Sequence, residues 1–229
     1  MKLLSWNCQG LGNLWTDCSL HKIVKDQAPE ICFLMETQLD IEGIKQWCSE
    51  LPYKNRFDVK KLGSGGGLAM LWKEDIRLDV FKFSKNQISA WVTENDGFRW
   101  LLIGFYSWPE TKDHFKSWSL LSHIHSYVKS AWMCIRDFNE MLRSTEKLSC
   151  RPTPPRQLDA FQEALELCQL VDLGFIGYPY TWNNRRPGAA NTRERLDRAV
   201  ANEEWKSKFP ETTVTHIFSH ASDHLPLIL

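Results

Sequence analysis

No two of the seven cysteines (Cys8, Cys18, Cys32, Cys48, Cys134, Cys150 and Cys168) form a C-x-x-C pair. Structural zinc sites need such pairs, so none is expected. The count is odd and no secretory leader opens the chain, which argues against a disulfide framework. Seven reduced thiols in a nuclear or cytoplasmic, non-secreted protein is the simplest reading. Apolar Leu3-Leu4 follows Met1 almost at once, so no targeting segment is expected ahead of the fold. No apolar run approaches the roughly 18 residues a membrane helix needs. Neither sign of charge is in excess: 28 basic residues meet 28 acidic ones, for a formal net charge of zero. A bulk electrostatic pull on nucleic acid is thereby excluded. Any DNA partner must be held by local basic groups, with affinity that falls as salt rises. Repeats and low-complexity tracts are also absent.

What remains is an ordinary globular composition, 43% hydrophobic and 24% charged over 229 residues. A chain this long buries a sizeable core, and a single domain over residues 1–229 is expected. Short apolar runs read as buried strands at Lys2–Trp6, Ile31–Met35, Leu68–Trp72, Trp100–Tyr106 and Ala131–Ile135. Leu78–Phe83 and Ile88–Thr93 alternate and read as half-exposed strands. Gly65-Gly66-Gly67 predicts a tight turn or a close backbone approach. Helices are predicted at Asp40–Glu50 and Thr111–Val128. Another is predicted at Gln157–Cys168, where Leu158, Phe161, Leu165 and Cys168 share a face. Pro152, Pro154 and Pro155 precede it, and a proline suits a helix start. The order is an α/β pattern with mixed sheets covered by helices. The chain stops at Leu227-Ile228-Leu229, inside what reads as a strand. That is how a domain cut from something longer, or a truncated copy, would end.

The informative polar residues sit where predicted strands end. Asn7 follows the first, Glu36 the second, Tyr106 ends its strand, and Asp137 and Asn139 follow Met133-Cys134-Ile135. Asp223 and His224 precede the last strand. Alone, each has a bland reading. Glu36 is a solvated loop charge, Asp137-x-Asn139 an Asx-turn, Tyr106 a strand tyrosine with a wet tip, and His224 a satisfied surface histidine. Together, at strand carboxyl ends where α/β sheets bind ligands, they hold the parts for phosphodiester hydrolysis. Mg²⁺ takes one or two carboxylates plus phosphate oxygens. An Asp or His orients or deprotonates water. Amide, phenol and imidazole donors meet charge on the phosphoryl oxygens.

These residues lie in longer stretches: Leu4-Ser5-Trp6-Asn7-Cys8-Gln9-Gly10, Phe33-Leu34-Met35-Glu36-Thr37, Gly65-Gly66-Gly67-Leu68-Ala69, Gly104-Phe105-Tyr106 and Asp137-Phe138-Asn139-Glu140. Gly177-Tyr178-Pro179-Tyr180-Thr181-Trp182, Arg195-Leu196-Asp197-Arg198 and Ser222-Asp223-His224-x-Pro226 continue the set. Over its whole length the chain resembles the endonuclease/exonuclease/phosphatase, or DNase-I-like, superfamily. Within it the chain is most similar to the endonuclease domain of plant LINE-type non-LTR retrotransposons.

The resemblance implies a four-layer α/β sandwich of two packed mixed β-sheets flanked by helices. It implies Mg²⁺ (Mn²⁺ as a substitute) on Glu36, with Asn7 beside it and Asp223 supporting the metal or its waters. Asp137 would orient or deprotonate the attacking water. Asn139 and Tyr106 would hold the scissile phosphate, and His224 would contact it, oriented by Asp197. Thr181 would lie near the DNA backbone. The segment from Asn183 to Arg198, with Arg185, Arg186, Arg193, Arg195 and Arg198, would form a DNA-touching hairpin. The product would be a nick with a free 3′-hydroxyl that primes reverse transcription, by a reverse transcriptase in the same polypeptide of an intact element. The domain itself is expected to be monomeric.

Against the family pattern, Gln9 replaces arginine, Gln38 lysine, Ser107 and Arg136 glycine, and Trp108 adds bulk. Arg136 is expected to shift Asp137, as in a weakened copy whose fold survives. The competing readings are an abasic-site repair endonuclease and a non-enzymatic DNA-binding remnant.

Overall fold

The computed structural model describes residues 1–60, 66–108 and 110–229; the side chains of Ile41 and Arg136 lie outside the described ones. In the first half, β1 (Leu3–Asn7), α1 (Leu14–Gln27), β2 (Ile31–Met35), α2 (Ile41–Cys48), β3 (Asn55–Val59) and β4 (Leu68–Trp72) follow in order. Next come β5 (Arg77–Ser84), β6 (Gln87–Thr93), β7 (Arg99–Tyr106), α3 (His114–Tyr127) and β8 (Trp132–Asp137). The short β9 (Lys147–Leu148) precedes α4 (Pro155–Leu167), β10 (Val171–Asp172), β11 (Trp182–Asn183) and β12 (Arg193–Glu194). The chain closes with β13 (Asp197–Ala201), α5 (Glu203–Lys208), β14 (Thr215–His216) and β15 (Leu227–Ile228).

The strands form two six-stranded sheets, ordered β14-β15-β1-β2-β4-β3 and β10-β13-β8-β7-β6-β5, plus a small sheet β11-β12-β9. Strand alternation explains the layering, because successive side chains point to opposite faces. In β1, Leu3 enters the core between the sheets while Leu4 and Trp6 face the α1–α2 side. In β7, Trp100 and Leu102 enter that central core while Leu101, Ile103 and Phe105 meet α3 and α4. Both faces are covered, so the strands read as continuous apolar runs. This is the four-layer DNase-I-like α/β sandwich. Each fully buried large side chain, such as Trp6 or Trp132, contributes about 1.5–3 kcal/mol. Among the described residues no helix is long and apolar enough to cross a membrane.

The predicted strands Ile31–Met35 and Leu68–Trp72 form with those bounds. The half-exposed reading of Ile88–Thr93 is corrected: β6 lies between β5 and β7, and Ile88, Ala90 and Val92 enter the inter-sheet core. At Gly104 the sheets approach so closely that an added Cβ would sit 2.5 Å from the Phe33 ring. The helices are set by their ends. Asn13 caps α1 through Trp15 N, Asp40 caps α2 through Gly43 N, and Pro155 opens α4. Each sheet holds one parallel pair, β1–β2 and β7–β8, in register Asn7↔Met35 and Tyr106↔Asp137. The carboxyl ends of these pairs place the polar residues on a common edge.

Candidate active site

Six polar residues from both sheets form one chain of contacts at that edge. Tyr106 donates its hydroxyl to Glu36 Oε1 at 2.6 Å. Asn7 Nδ2 donates to the same Oε1 at 2.9 Å and to Asp137 Oδ2 at 3.2 Å. Asp137 Oδ2 lies 3.7 Å from His224 Nε2, and His224 Nδ1 meets Asp197 Oδ2 at 2.8 Å. Asn7, Asp137, Asp197 and His224 are buried, so these groups see each other at low dielectric.

The backbone explains how they are held. Glu36 has φ +53°, a left-handed conformation that non-glycine residues adopt at a cost. Its neighbours fix it: Gly10 N donates to Glu36 O, Leu11 N to Thr37 O, and Thr37 and Gln38 N to the carbonyls of Gly67 and Gly66. The predicted close approach of the glycine turn is thus a prop for Glu36; Gly65 lies outside the described residues. Asp137 closes β8 and pairs with Asp197, which opens β13. Thr181 Oγ1 accepts from the N–H groups of Leu196 and Asp197, both at 2.9 Å. Ser222 Oγ donates to Asn7 O and accepts from His224 N, while the Trp6 indole donates to His224 O.

The electrostatics follow from crowding. Burial disfavours charge on His224, but Asp197, then Asp137 and Asp223, raise its pKa to about 10. The imidazole is therefore a cation at neutral pH, with Asp197 rather than its sequence neighbour Asp223 on Nδ1. Burial raises the Asp137 carboxyl above its ordinary range; His224 opposes the shift and Asp197 adds to it. Tyr106 is also raised, by burial and then by the Glu36 charge, so it stays a neutral donor.

The residues fit a hard divalent cation. Asn7 directs its amide donor at two carboxylates, which leaves Oδ1 buried without a hydrogen-bond partner among the described residues. Asp223 Oδ1 is likewise buried and accepts no hydrogen bond among the described residues, lying 3.8 Å from His224 Nε2, while Oδ2 accepts from the Trp182 indole at 2.9 Å. Oxygen acceptors beside Glu36 are what Mg²⁺ or Mn²⁺ takes. Asp137, Asp197 and His224 also present ligand atoms within 4.8 Å of one another, although His224 as an imidazolium would not ligate. Asn139 has φ +51°, and its N–H bonds Asp137 Oδ1 in the Asx-turn expected of it. Its Nδ2 is buried and has no hydrogen-bond partner among the described residues, a donor at the cleft. The cleft, about 450 Å³, is lined by Glu36, Tyr106, Asp137, Asn139, Trp182 and His224.

Two expected DNA contacts are corrected. Arg195 is 3% exposed, with its guanidinium on Asp172 and Glu146 at 2.6 and 2.9 Å, so it cannot reach a phosphate. Arg198 is buried on the same pair. Thr181 is 1% exposed; its hydroxyl holds the start of β13, and the residue lines a hollow beside the cleft. Arg185 and Arg186 are exposed and Arg193 is half-buried. Arg136 pairs in register with Phe105 and Arg198, and Asp137 with Tyr106 and Asp197, so the backbone there is a regular ladder. The Arg136 side chain, on which the expected shift of Asp137 depends, lies outside the described ones. Gln9 Oε1 accepts from Asp223 N at 3.4 Å, and the Ser107 hydroxyl meets Ser117 at 2.8 Å.

One cleft-wall group carried no assigned role in the sequence. Glu140 accepts from Gln157 Nε2 and from Met141 N on Oε1, and meets His114 Nδ1 at 2.9 Å on Oε2. All three side chains line the cleft, and the network ties α3 and α4 to the loop that carries Asn139. Its signal was only that Glu140 directly follows Asp137-Phe138-Asn139.

No curated protein matches the sequence. Among solved structures, the AP endonuclease LMAP from Leishmania major is similar in fold, with a TM-score of 0.76 at 15% identity, covering 99% of this chain and 86% of that one. The 3′-5′ exonuclease NExo from Neisseria meningitidis gives 0.69 at 16% identity, covering 100% and 98%. The endonuclease domain of TRAS1, a telomere-specific non-LTR retrotransposon, gives 0.68 at 13% identity, covering 99% and 96%. At the level of sequence, residues 4–224 match the Endonuclease/Exonuclease/phosphatase family, and the chain belongs to it.

Proposed function

We propose that this protein is a Mg²⁺-dependent endonuclease that hydrolyses one DNA phosphodiester bond and leaves a nick with a 3′-hydroxyl. The observation that carries the reading is the contact chain Tyr106–Glu36–Asn7–Asp137–His224–Asp197, which joins the ends of both parallel strand pairs. A cation bound by Glu36, Asn7 Oδ1 and Asp223 would neutralise charge on the phosphoryl oxygens.

The chain's own residues do the rest. Asp137, raised by burial, is a stronger base than an ordinary carboxylate and takes a proton from the attacking water. Asn7 holds that carboxylate in place through Nδ2. The His224 imidazolium, fixed by Asp197, supplies a positive charge where negative charge builds. Asn139 Nδ2 and the Tyr106 hydroxyl are donors to the phosphate. Arg185, Arg186 and Arg193, which meet no carboxylate among the described residues, hold the DNA backbone.

The likeness to the TRAS1 domain supports a retrotransposon origin; the same proposal places a reverse transcriptase elsewhere in the polypeptide of an intact element and action in the nucleus or cytoplasm. The core shared by both sheets supports residues 1–229 as one domain, which we propose acts as a monomer. A supercoiled-plasmid assay tests the reading. Open circle should form with Mg²⁺, and not with EDTA or in Glu36→Ala and His224→Ala. No nicking by folded protein would sink it in favour of an inactive remnant. Cleavage of abasic duplex alone would move it to repair.

A further inference from the structure

Beside the cleft lies a second hollow of about 600 Å³. Trp182 lines both hollows, and its indole holds Asp223, so the two adjoin at the metal-binding edge. The wall of this second hollow is aromatic: Tyr178, Tyr180, Trp182 and Phe218 line it. Phe218 is 66% exposed and Tyr178 38%. Tyr178 sits edge-on to Tyr180 at 5.6 Å, and Phe218 edge-on to His220 at 4.9 Å. Two guanidiniums and, at the cleft side, the Asp223 carboxylate also line the hollow. Arg193 donates to the Tyr178 hydroxyl at 2.6 Å, and Arg185 to the His220 carbonyl at 3.0 Å. Neither is paired with a carboxylate among the described residues, unlike Arg195 and Arg198.

Exposed rings interleaved with uncompensated guanidiniums suit one ligand class. A nucleobase stacks on the rings and its phosphate meets the arginines. A paired base cannot use such a hollow, because its faces are covered by its neighbours in the duplex. A protein partner could also use aromatics and arginine, but continuity with the phosphate-binding edge through Trp182 and Asp223 favours the nucleotide.

We propose that this hollow binds one unpaired nucleotide next to the cleavage point, so that the protein prefers DNA carrying an unpaired base there. The inference rests on the nuclease reading for the position of the scissile phosphate, but binding can be measured apart from cleavage. The probes are two fluorescent duplexes, one fully paired and one with a single bulged 2-aminopurine, titrated with protein in EDTA. We expect tighter binding of the bulged duplex and quenching of the 2-aminopurine on binding. Phe218→Ala, and separately Tyr178→Ala, should cut the bulged-over-paired affinity ratio by about 5- to 100-fold, the effect of one lost stacking partner. Both side chains are exposed, so both variants should fold, which a melt confirms. Equal affinity for the two duplexes, or a ratio unchanged in both variants, would overturn the proposal. Nicking in Mg²⁺ without any preference leaves the nuclease reading and removes the pocket. Preference in EDTA without nicking does the reverse.

Discussion

Two clusters of buried charge lie close together in this molecule, and they differ in balance. At the catalytic edge the carboxylates of Glu36, Asp137, Asp197 and Asp223 face the single cation of His224 among the described side chains. Behind it, Arg195 and Arg198 meet Asp172 and Glu146, two charges of each sign. The balanced cluster is closed: its guanidiniums are also stacked over Phe175 and Phe161, and it braces β10, β13 and the β9 loop. The unbalanced cluster is open, and its excess of oxygen acceptors calls for a cation from outside. Burial alone therefore does not distinguish a site from a scaffold here; uncompensated charge does.

The comparison can be broken in several ways. The largest effect is expected for Asp137→Asn, which removes a charge from the unbalanced side. Nicking should fall by about 10²- to 10⁴-fold, while a urea melt in EDTA shows stability held or raised. A variant that nicks like the parent would end the assignment of Asp137 as base. Arg198→Met should do the opposite. It strands Asp172 and Glu146 without one of their two cations, and should cost about 3–5 kcal/mol in the same melt. Unchanged stability would show that the brace is not a brace.

Acid sharpens the contrast more gently. Burial alone would raise Asp172, but the hydrogen bond from Arg195 and the charges of Arg198 and Arg195 lower it to about 2. A carboxylate depressed in the folded state adds stability above its unfolded pKa, near 3.8. That stability is lost as pH falls toward 2, by about 2 kcal/mol in all. Arg195→Met should flatten this part of a stability-versus-pH profile. The smallest effect belongs to an arginine outside both clusters. Arg185→Ala should change stability by less than about 0.5 kcal/mol. It should lower the slope of log affinity against log salt by about one phosphate contact. A stability loss like that of Arg198→Met would erase the distinction between them.

The core strands were legible because both faces of each are covered. Ile31–Met35 and Leu68–Trp72 are unbroken apolar runs with no polar face to confuse the period. Helix α1 was not located in the sequence. Its buried residues Thr16, Leu20, Ile23 and Val24 have helical spacing, but exposed Leu14 and Trp15 hide the pattern. The site residues stood out because they occur at strand ends, which the parallel pairs bring together. Arg195 could not be told from Arg193 by sequence. Its partners, Asp172 and Glu146, are 23 and 49 positions away, and only the fold delivers them. The structural role of Thr181 was hidden for the same reason: its hydroxyl serves the start of β13, 16 residues on.

Asn7 has a consequence of another kind. One amide group reaches Glu36 in the first sheet and Asp137 in the second. It is a caliper across the sandwich, and it measures a coordinate that no single strand owns, the sliding of one sheet over the other. A displacement of about 1 Å along that coordinate could cost roughly 10²-fold in rate. A methyl group at Gly104, pressed on Phe33 far inside the core, should thus register as lost turnover while most of the protein is still folded.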